Sequence, residues 1–335
     1  MCIRDRAKYT TGPAHGRLRR PHNGDHMHDS DGGAPGHSHP HAHGDEHGRP
    51  RIGFIGAGRV GTALGAALSE AGWDVSAVAS RDPERRARFQ RLVPGARAFE
   101  EPQAITDDAE LIFVTVPDDA VAVVAGQLLL YSGQALVHTS GALPAQVLKP
   151  AMAAGTSIGS FHPLVAFADF DQARADLHDA TIALEGDESL LPLLAELAEA
   201  VGGRPVLLPP GGKPAYHAAA MLAAGGLVGL LDAIAEVSRS AGLSEQSALS
   251  VYLPLARQAL SHADRLGIDA ALTGPFVRGD SGTVAGHLAV LRASAPGALA
   301  LYVAVARREL AIAERRGELD PASADEIRLL LDNSA

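Results

Sequence analysis

The fold of this chain is decided by one stretch, Arg51-Ile-Gly-Phe-Ile-Gly-Ala-Gly-Arg-Val-Gly-Thr-Ala-Leu64. A short apolar strand leads into three spaced glycines and then into an alanine-rich helix. Gly56 permits a sharp turn, Gly58 leaves room for a pyrophosphate, and Gly61 lets the helix pack close to the sheet. The first amides of that helix face the phosphates. The stretch predicts a dinucleotide-binding turn made by Gly56, Gly58, Arg59, Val60 and Gly61.

Composition and charge are typical of a soluble globular protein. The 335 residues have room for about two domains, and 46% of them are hydrophobic. A formal net charge of -10 provides no basic surface for nucleic acid. The longest apolar run, residues 218–231, is shorter than the roughly 20 residues of a membrane span, so we interpret it as a buried core helix. The single cysteine, Cys2, fits a reducing compartment. We therefore expect a cytoplasmic protein that acts neither in a membrane nor on nucleic acid.

Residues 1–49 differ in composition from the rest of the chain. They hold nine of the fifteen histidines, including His37, His39, His41 and His43 at every second position, and almost no aliphatic periodicity. Such a segment is expected to be a disordered tail. Imidazoles at this density chelate transition metals, but without an enforced geometry they do not define a site. We therefore predict no structural or catalytic metal.

Strands and helices alternate from residue 50 to residue 209. Apolar strands are predicted at 52–55, 75–80, 111–116, 135–138, 157–161, 181–184 and 205–208, with helices at 59–70 and after the Asp82-Pro83 start signal. Beyond 209–212 the pattern is helical, at 214–241, 245–266, 283–293, 298–316 and from 322. The fold class is α/β: a doubly wound Rossmann-type sheet over 50–209, followed by an all-α C-terminal domain over 210–335. A division nearer residue 168 stays open.

The end of the second strand indicates which dinucleotide binds. An NAD site usually has a carboxylate here, about 20 residues after the glycine turn, to hold the ribose hydroxyls. This chain has Ser80-Arg81 instead. A hydroxyl and a guanidinium bind the 2′-phosphate of NADP, with Arg85 or Arg86 as helpers. The sequence favours NADP over NAD, and Asp82 is interpreted as a helix cap.

The order of the motifs resembles a known family. GFIGAGRVG at 53–61 is followed by VTVPDD at 114–119, HTSGAL at 138–143, GSFHPL at 159–164, GKPAYHAAA at 212–220 and LTGPFVRGD at 272–280. This order is similar to that of Rossmann-like proteins carrying domain of unknown function 2520, a group labelled as NADP oxidoreductases, and the resemblance covers residues 50–315. It implies distant kinship with pyrroline-5-carboxylate reductase, ketopantoate reductase, prephenate dehydrogenase and the 6-phosphogluconate dehydrogenase-like superfamily.

Polar residues follow three central strands, at the sheet edge where the reactive end of a dinucleotide lies. Ser140 and His162 form the first candidate catalytic pair, because a hydroxyl and an imidazole at neighbouring strand ends can orient and protonate a substrate. The resemblance to prephenate dehydrogenases implies the same two roles, although their glycine-threonine continuation is absent here. Main-chain groups after the strands are expected to line the ribose and nicotinamide, at Val116, Pro117, Asp118 and Thr139.

A second candidate pair begins the helical domain. Lys213 and His217 are four residues apart and therefore share one helix face, which we expect to point into the interdomain cleft. The resemblance to ketopantoate reductase implies that Lys213 polarises a carbonyl or relays a proton. His217 and Met221 stand where that family has asparagines. The proton donor is thus Lys213, His217 or a relay between them, with His162 as a further candidate.

Three other polar residues receive more modest interpretations. Arg278 is a candidate anchor for a substrate carboxylate, bound through both guanidinium nitrogens, or else a surface charge. Asp280 precedes a helix and is expected to cap it. His138, at the end of a buried strand, is interpreted as structural.

Together these observations predict an oxidoreductase that transfers hydride between NADP and a small carbonyl, alcohol or imine. Residues 214–241 are apolar on most faces and helical domains of this superfamily commonly dimerise, so a homodimer is expected. The rival interpretations are a non-catalytic NADP-binding or sensing protein and a metal-handling protein that uses the His-rich tail. Ketopantoate reduction is a variant within the enzyme class.

Overall fold

The computed structural model describes residues 48–167, 172 and 174–334. The predicted disordered tail lies outside these residues, apart from Gly48 and Arg49, and so does Cys2. The described chain begins just before the first strand and ends in the last helix.

Eight strands form a single sheet. They are β1 (Ile52–Ile55), β2 (Val75–Ala79), β3 (Arg97–Phe99), β4 (Leu111–Val114), β5 (Ala135–His138), β6 (Ser157–Pro163), β7 (Thr181–Gly186) and β8 (Arg204–Leu207). Their order is β3-β2-β1-β4-β5-β6-β7-β8. All neighbours are parallel except β6 and β7, which pair antiparallel. The predicted doubly wound Rossmann-type sheet is confirmed, with one reversed pair that the sequence pattern did not reveal.

Sequence pattern missed one strand, β3. It has only three residues and none of them is buried, so it lacks the apolar run that marks the other strands. It forms because its backbone pairs with β2 over Ala77–Ala79 at the edge of the sheet. Short edge strands of this kind depend on their neighbour more than on their own residues.

Twelve helices complete the described chain. Four lie among the strands: α1 (Arg59–Glu70), α2 (Pro83–Leu92), α3 (Asp118–Gln127) and α4 (Leu191–Ala200). The others follow β8: α5 (Lys213–Met221), α6 (Leu227–Ser240), α7 (Glu245–Leu266), α8 (Ile268–Ala271), α9 (Pro275–Arg278), α10 (Ser281–Ser294), α11 (Pro296–Arg315) and α12 (Pro321–Asp332). A π turn, Leu222–Gly226, joins α5 to α6 without a break. The all-α C-terminal region is therefore confirmed.

Two helix starts are capped as predicted. The Asp82 carboxylate accepts hydrogen bonds from the backbone N–H groups of Glu84 and Arg85, and Pro83 begins α2. The Asp280 carboxylate accepts from the Thr283 backbone N–H at 3.0 Å. Each cap satisfies amides that have no partner inside the helix.

The sheet is buried on both faces, as a nearly continuous apolar strand predicts. Phe54 and Phe113 stack at 5.2 Å on one face, and Phe161 packs edge-on against Phe113. Gly65 of α1 lies over this aromatic cluster, where a Cβ would be 2.6 Å from Phe89 Cζ. The missing side chain at Gly65 therefore sets how closely α1 approaches the sheet.

The long apolar helix is not a buried core helix, contrary to expectation. In the continuous helix Lys213–Ser240 only 6% of the most apolar window is buried, and Leu222 is 75% exposed. By length and composition this helix is apolar enough to cross a membrane. The single chain offers it too few neighbours, since α6 packs mainly on α7 and α11 along one side. An apolar surface of this kind calls for a partner.

Replacing Gly65 with alanine is expected to lower the free energy of unfolding by about 1–3 kcal/mol, because the new methyl overpacks against Phe89. Denaturant unfolding followed by circular dichroism measures the change. Gly126→Ala in α3 is the matched control, since its Cβ would meet only Pro150 Cβ at 3.8 Å. The control is expected to gain about 0.5–1 kcal/mol from helix propensity. Equal midpoints for the two variants would contradict this account of α1 packing.

Candidate functional site

The glycine turn after β1 is held by close backbone contacts. Gly56 has φ of 108°, and a Cβ there would lie 2.6 Å from the Thr115 carbonyl oxygen. At Gly61 a Cβ would lie 2.3 Å from the Gly56 carbonyl oxygen. Thr115 Oγ1 donates to that same carbonyl at 2.6 Å. Gly58, by contrast, faces open space, with nothing within 4 Å of its Cβ position. The turn is therefore closely packed at Gly56 and Gly61, and it leaves free space next to Gly58 at the start of α1.

An open cleft of about 1430 Å³ begins at this turn. It runs over the ends of β1, β2 and β4, at the place where the strand order reverses between β1 and β4. Eight of the predicted cofactor positions line it: Gly56, Gly58, Arg59, Val60, Ser80, Arg81, Val116 and Pro117. Gly61 lies inside the turn, and Asp118 and Thr139 lie beyond the lining residues.

Basic side chains gather at the β2 end of the cleft. Arg81, Arg85 and Arg88 line it, and Arg85 also pairs with the Asp82 carboxylate at 3.1 Å. Arg86, proposed above as a helper, donates instead to the Ser80 carbonyl oxygen and fixes the strand end. Arg88 was not singled out from the sequence; it lies on α2, three residues after Arg85. Acidic residues are also present on this wall, at Glu84, Glu100 and Glu101.

The four predicted catalytic residues converge beside the cleft. The Lys213 ammonium donates to the Ser140 carbonyl oxygen and to Ser160 Oγ, and the residue is only 1% exposed. Lys213 is therefore enclosed by the protein. Burial lowers the pKa of Lys213 to about 8, while the charges of Glu185 and Asp118 oppose that shift. These contacts hold the first turn of α5 against the loop after β5 and the middle of β6.

His162 and His217 face each other across Gly141. Their ring centres are 6.1 Å apart, and a Cβ on Gly141 would lie 2.7 Å from His162 Nε2 and 2.6 Å from His217 Nδ1. His162 Nδ1 shares a hydrogen bond of 3.1 Å with the Tyr216 hydroxyl. Burial, with the charge of Lys213, lowers the pKa of His162 to about 4, so its imidazole is neutral at pH 7. His217 Nδ1 is buried and has no hydrogen-bond partner among the described residues.

The Ser140 hydroxyl is fully engaged in hydrogen bonds with nearby residues. Its hydroxyl donates to Asp118 Oδ2 at 2.9 Å and accepts from the backbone N–H groups of Ala142 and Leu143. His138 Nδ1 accepts from the Ser140 backbone N–H at 3.1 Å, which supports the structural interpretation of His138. Burial lowers the pKa of His138 to about 3. These bonds fix the loop after β5 and tie it to Asp118 at the start of α3.

Three residues of this cluster were missed from the sequence. Tyr216 lies within the quoted GKPAYHAAA motif and would have been found by asking which side chains adjoin His217. Ser160 lies within the quoted GSFHPL motif and accepts a hydrogen bond from Lys213. Glu185 lies opposite Ser160 because β6 and β7 pair in that register, which no local pattern in the sequence reveals.

Arg278 does not join this cluster within the chain. It ends α9, which packs against α10 and α11, and its side chain is exposed. In the described residues no hydrogen bond links it to Lys213 or to the histidines. The described residues contain no group of three or more His, Cys, Asp or Glu side chains that could hold a metal ion.

Two family models match the chain in sequence. A Rossmann-like domain matches residues 37–163, and the domain of unknown function 2520 matches residues 180–309. No curated protein matches the chain significantly.

Solved structures share the fold. Protein TM1727 from Thermotoga maritima is 27% identical, with a TM-score of 0.65 over 79% of this chain and 99% of that one. A Bacteroides fragilis protein proposed to be an NADP oxidoreductase is 23% identical, with a TM-score of 0.62 over 78% and 98%. A reductive aminase from Aspergillus terreus, in complex with NADPH and ethyl-5-oxohexanoate, is 19% identical, with a TM-score of 0.60 over 84% and 99%. The two family models match the chain in the order that its motifs predict, the Rossmann-like domain first and the domain of unknown function 2520 after it.

Proposed function

We propose that this protein is an NADP-dependent oxidoreductase of the cytoplasm that reduces or oxidises a small carbonyl, alcohol or imine compound. One observation carries the proposal. The cleft that opens on the glycine turn reaches Pro117, and the next residue, Asp118, is hydrogen-bonded to Ser140 at the edge of the Lys213 and histidine cluster. A dinucleotide lying along the cleft thus ends beside groups that hold and move protons.

The residues of the cleft fit NADP in both size and charge. Gly58 leaves the α1 amides accessible to a pyrophosphate, and Arg81 has no hydrogen bond or ion pair among the described residues that would compete for a phosphate. Ser80 and Arg81 follow β2, where an NAD site has the carboxylate that holds the ribose hydroxyls, and the nearby Asp82 carboxylate is used as the cap of α2. The NADPH complex of the Aspergillus terreus reductive aminase, which has the same fold, supports this assignment.

The chain's own contribution to the reaction is binding, orientation and proton transfer. Bound NADP supplies the hydride chemistry. With a pKa near 8, Lys213 carries its proton at neutral pH and is the first proposed donor. Neutral His162 accepts or shares the Tyr216 hydroxyl proton, and the unpaired His217 Nδ1 is the second proposed proton carrier.

The second proposed function is a non-catalytic NADP-binding or sensing protein. The enclosure of Lys213 favours it, since both observed ammonium contacts lie within the chain. Equal affinity for NADP and NADPH, with no oxidation of NADPH in the presence of oxo acids or imines, would establish this alternative. Consumption of NADPH with any of them would exclude it.

We further propose that the protein is a homodimer formed by its helical region. Leu222 and Val228 on the long helix are 75% and 67% exposed, and α7 exposes Leu255 at 61%. A neighbouring apolar groove of about 430 Å³ runs between α6, α10 and α11. A second copy suits this surface better than a bilayer, because Lys213 fixes the start of the same helix inside the sheet region.

Replacing Arg81 with aspartate is expected to weaken NADPH binding by about 10- to 100-fold, since charge-assisted bonds to the 2′-phosphate are lost. NADH binding changes little. Titration of full-length protein, followed by nicotinamide fluorescence, measures both. Arg91→Asp is the matched control: it makes the same charge change on α2, outside the cleft lining. Equal losses for both nucleotides would contradict the NADP assignment, and no binding by the unmodified protein would refute the oxidoreductase proposal.

Replacing Leu222 with glutamate is expected to dissociate the dimer, because a carboxylate cannot be buried unpaired in an apolar interface. Light scattering on a sizing column should give twice the 34.6 kDa chain mass for the unmodified protein and a lower mass for the variant. Leu129→Glu, at a side chain 78% exposed beyond α3, should remain dimeric. A monomeric unmodified protein, or one that pellets with phospholipid vesicles, would overturn the proposal.

A further inference from the structure

Glu185 is a buried carboxylate without hydrogen bonds. It lies on β7, is 6% exposed, and neither side-chain oxygen has a donor within bonding distance among the described residues. An isolated carboxylate in such a place is strongly disfavoured, so a compensating positive charge is required nearby. None of the contacts described above uses Glu185.

The register of β6 and β7 brings that charge to Glu185. Ser160 is the direct cross-strand partner of Glu185, and in an antiparallel pair opposite residues point to the same face. Ser160 Oγ accepts a hydrogen bond from the Lys213 ammonium. The buried cation and the buried carboxylate therefore lie on the same side of the strand pair, both next to Ser160, although no hydrogen bond joins them.

The other titratable groups around Lys213 do not replace Glu185. Asp118 on α3 also opposes the lowering of the Lys213 pKa, but its side chain is exposed and already accepts from Ser140. His138 on β5 and His162 on β6 are neutral at pH 7, since their pKa values lie near 3 and 4. His217, one turn along α5, faces His162 and Gly141. Glu185 is the one buried carboxylate in this group.

We propose that Glu185 is the counter-ion of Lys213, a positioning residue that keeps the ammonium protonated inside the protein. The protonated state provides the hydrogen bonds to Ser140 and Ser160 and so holds α5 against the loop after β5 and the middle of β6. The proposed charge pair is inferred from the positions of Lys213, Ser160 and Glu185 and does not depend on the proposed function. Its meaning for catalysis, as the support of a proton donor, rests on the proposed reductase function.

The chain allows a direct test because it contains three lysines: Lys8, Lys149 and Lys213. In the full-length K8R/K149R protein, Lys213 is the single remaining lysine. Labelling with ¹³C-lysine then gives one ε-carbon signal, whose chemical shift against pH reports the protonation of Lys213 without any substrate or cofactor. Circular dichroism and thermal unfolding confirm that each variant keeps the fold.

The expected midpoint in this protein is about 8. In Glu185→Gln it should fall by about 1–3 pH units, because an opposite charge that favoured the ammonium has been removed. Glu185→Asp keeps the charge and should restore most of the shift. Glu188→Gln, an exposed carboxylate three residues along the chain, is the control and should leave the midpoint unchanged.

A midpoint that is the same with glutamine and glutamate at position 185 would overturn the proposal. If Glu185→Gln does not fold, Asp118→Asn decides the question: the midpoint should stay near 8 if Glu185 is the counter-ion, and a fall of about 1–3 pH units in this variant would overturn the proposal. Nucleotide titration of the same proteins separates this inference from the function. A shifted Lys213 without NADPH binding would keep the charge pair and refute the reductase proposal, and the reverse result would refute only the pair.

Discussion

The Lys213 ammonium donates hydrogen bonds to the Ser140 carbonyl and to Ser160 Oγ inside the protein, and the arrangement of the site depends on these two contacts. They hold the first turn of α5 against the loop after β5 and the middle of β6. The same helix places Tyr216 and His217 next to His162. Because the helix continues to Ser240, this one side chain anchors the first turn of the long apolar helix.

A buried ammonium requires compensation, and the surrounding groups are arranged accordingly. The neighbouring histidines His138 and His162 are held neutral by burial and by the charge of Lys213. The negative charge comes from Glu185 and Asp118. The glycine turn contributes backbone constraint, through the close approach of Gly56 to Thr115. The proposed reaction uses both parts of the site. The cleft, shaped by the backbone, would bind the cofactor, and the charged cluster would supply the proton.

Local sequence was sufficient for most of the fold. The strand, glycine turn and helix of residues 51–64 were predicted at their observed bounds, because turn glycines and an alanine-rich helix are short-range signals. The caps at Asp82 and Asp280 were predicted for the same reason, since a cap bonds to amides two or three residues away. The sequence placed Ser140 and His162 after predicted strand ends and placed Lys213 and His217 at the start of a helix. It left open whether the four side chains converge.

Only the tertiary structure decided which charged groups are buried together and which apolar surfaces are exposed. Sequence could place Lys213 at a helix start, but its burial depends on how α5 meets two strands that lie more than fifty residues earlier in the chain. Glu185 joins it through the antiparallel register of β6 and β7, which no periodicity encodes. The sequence predicted a buried core helix because an apolar composition indicates a preference for burial. It does not indicate whether the same chain or a partner covers the helix. Sequence therefore determined the elements and their order, whereas long-range packing determined which side chains are enclosed, paired or left exposed.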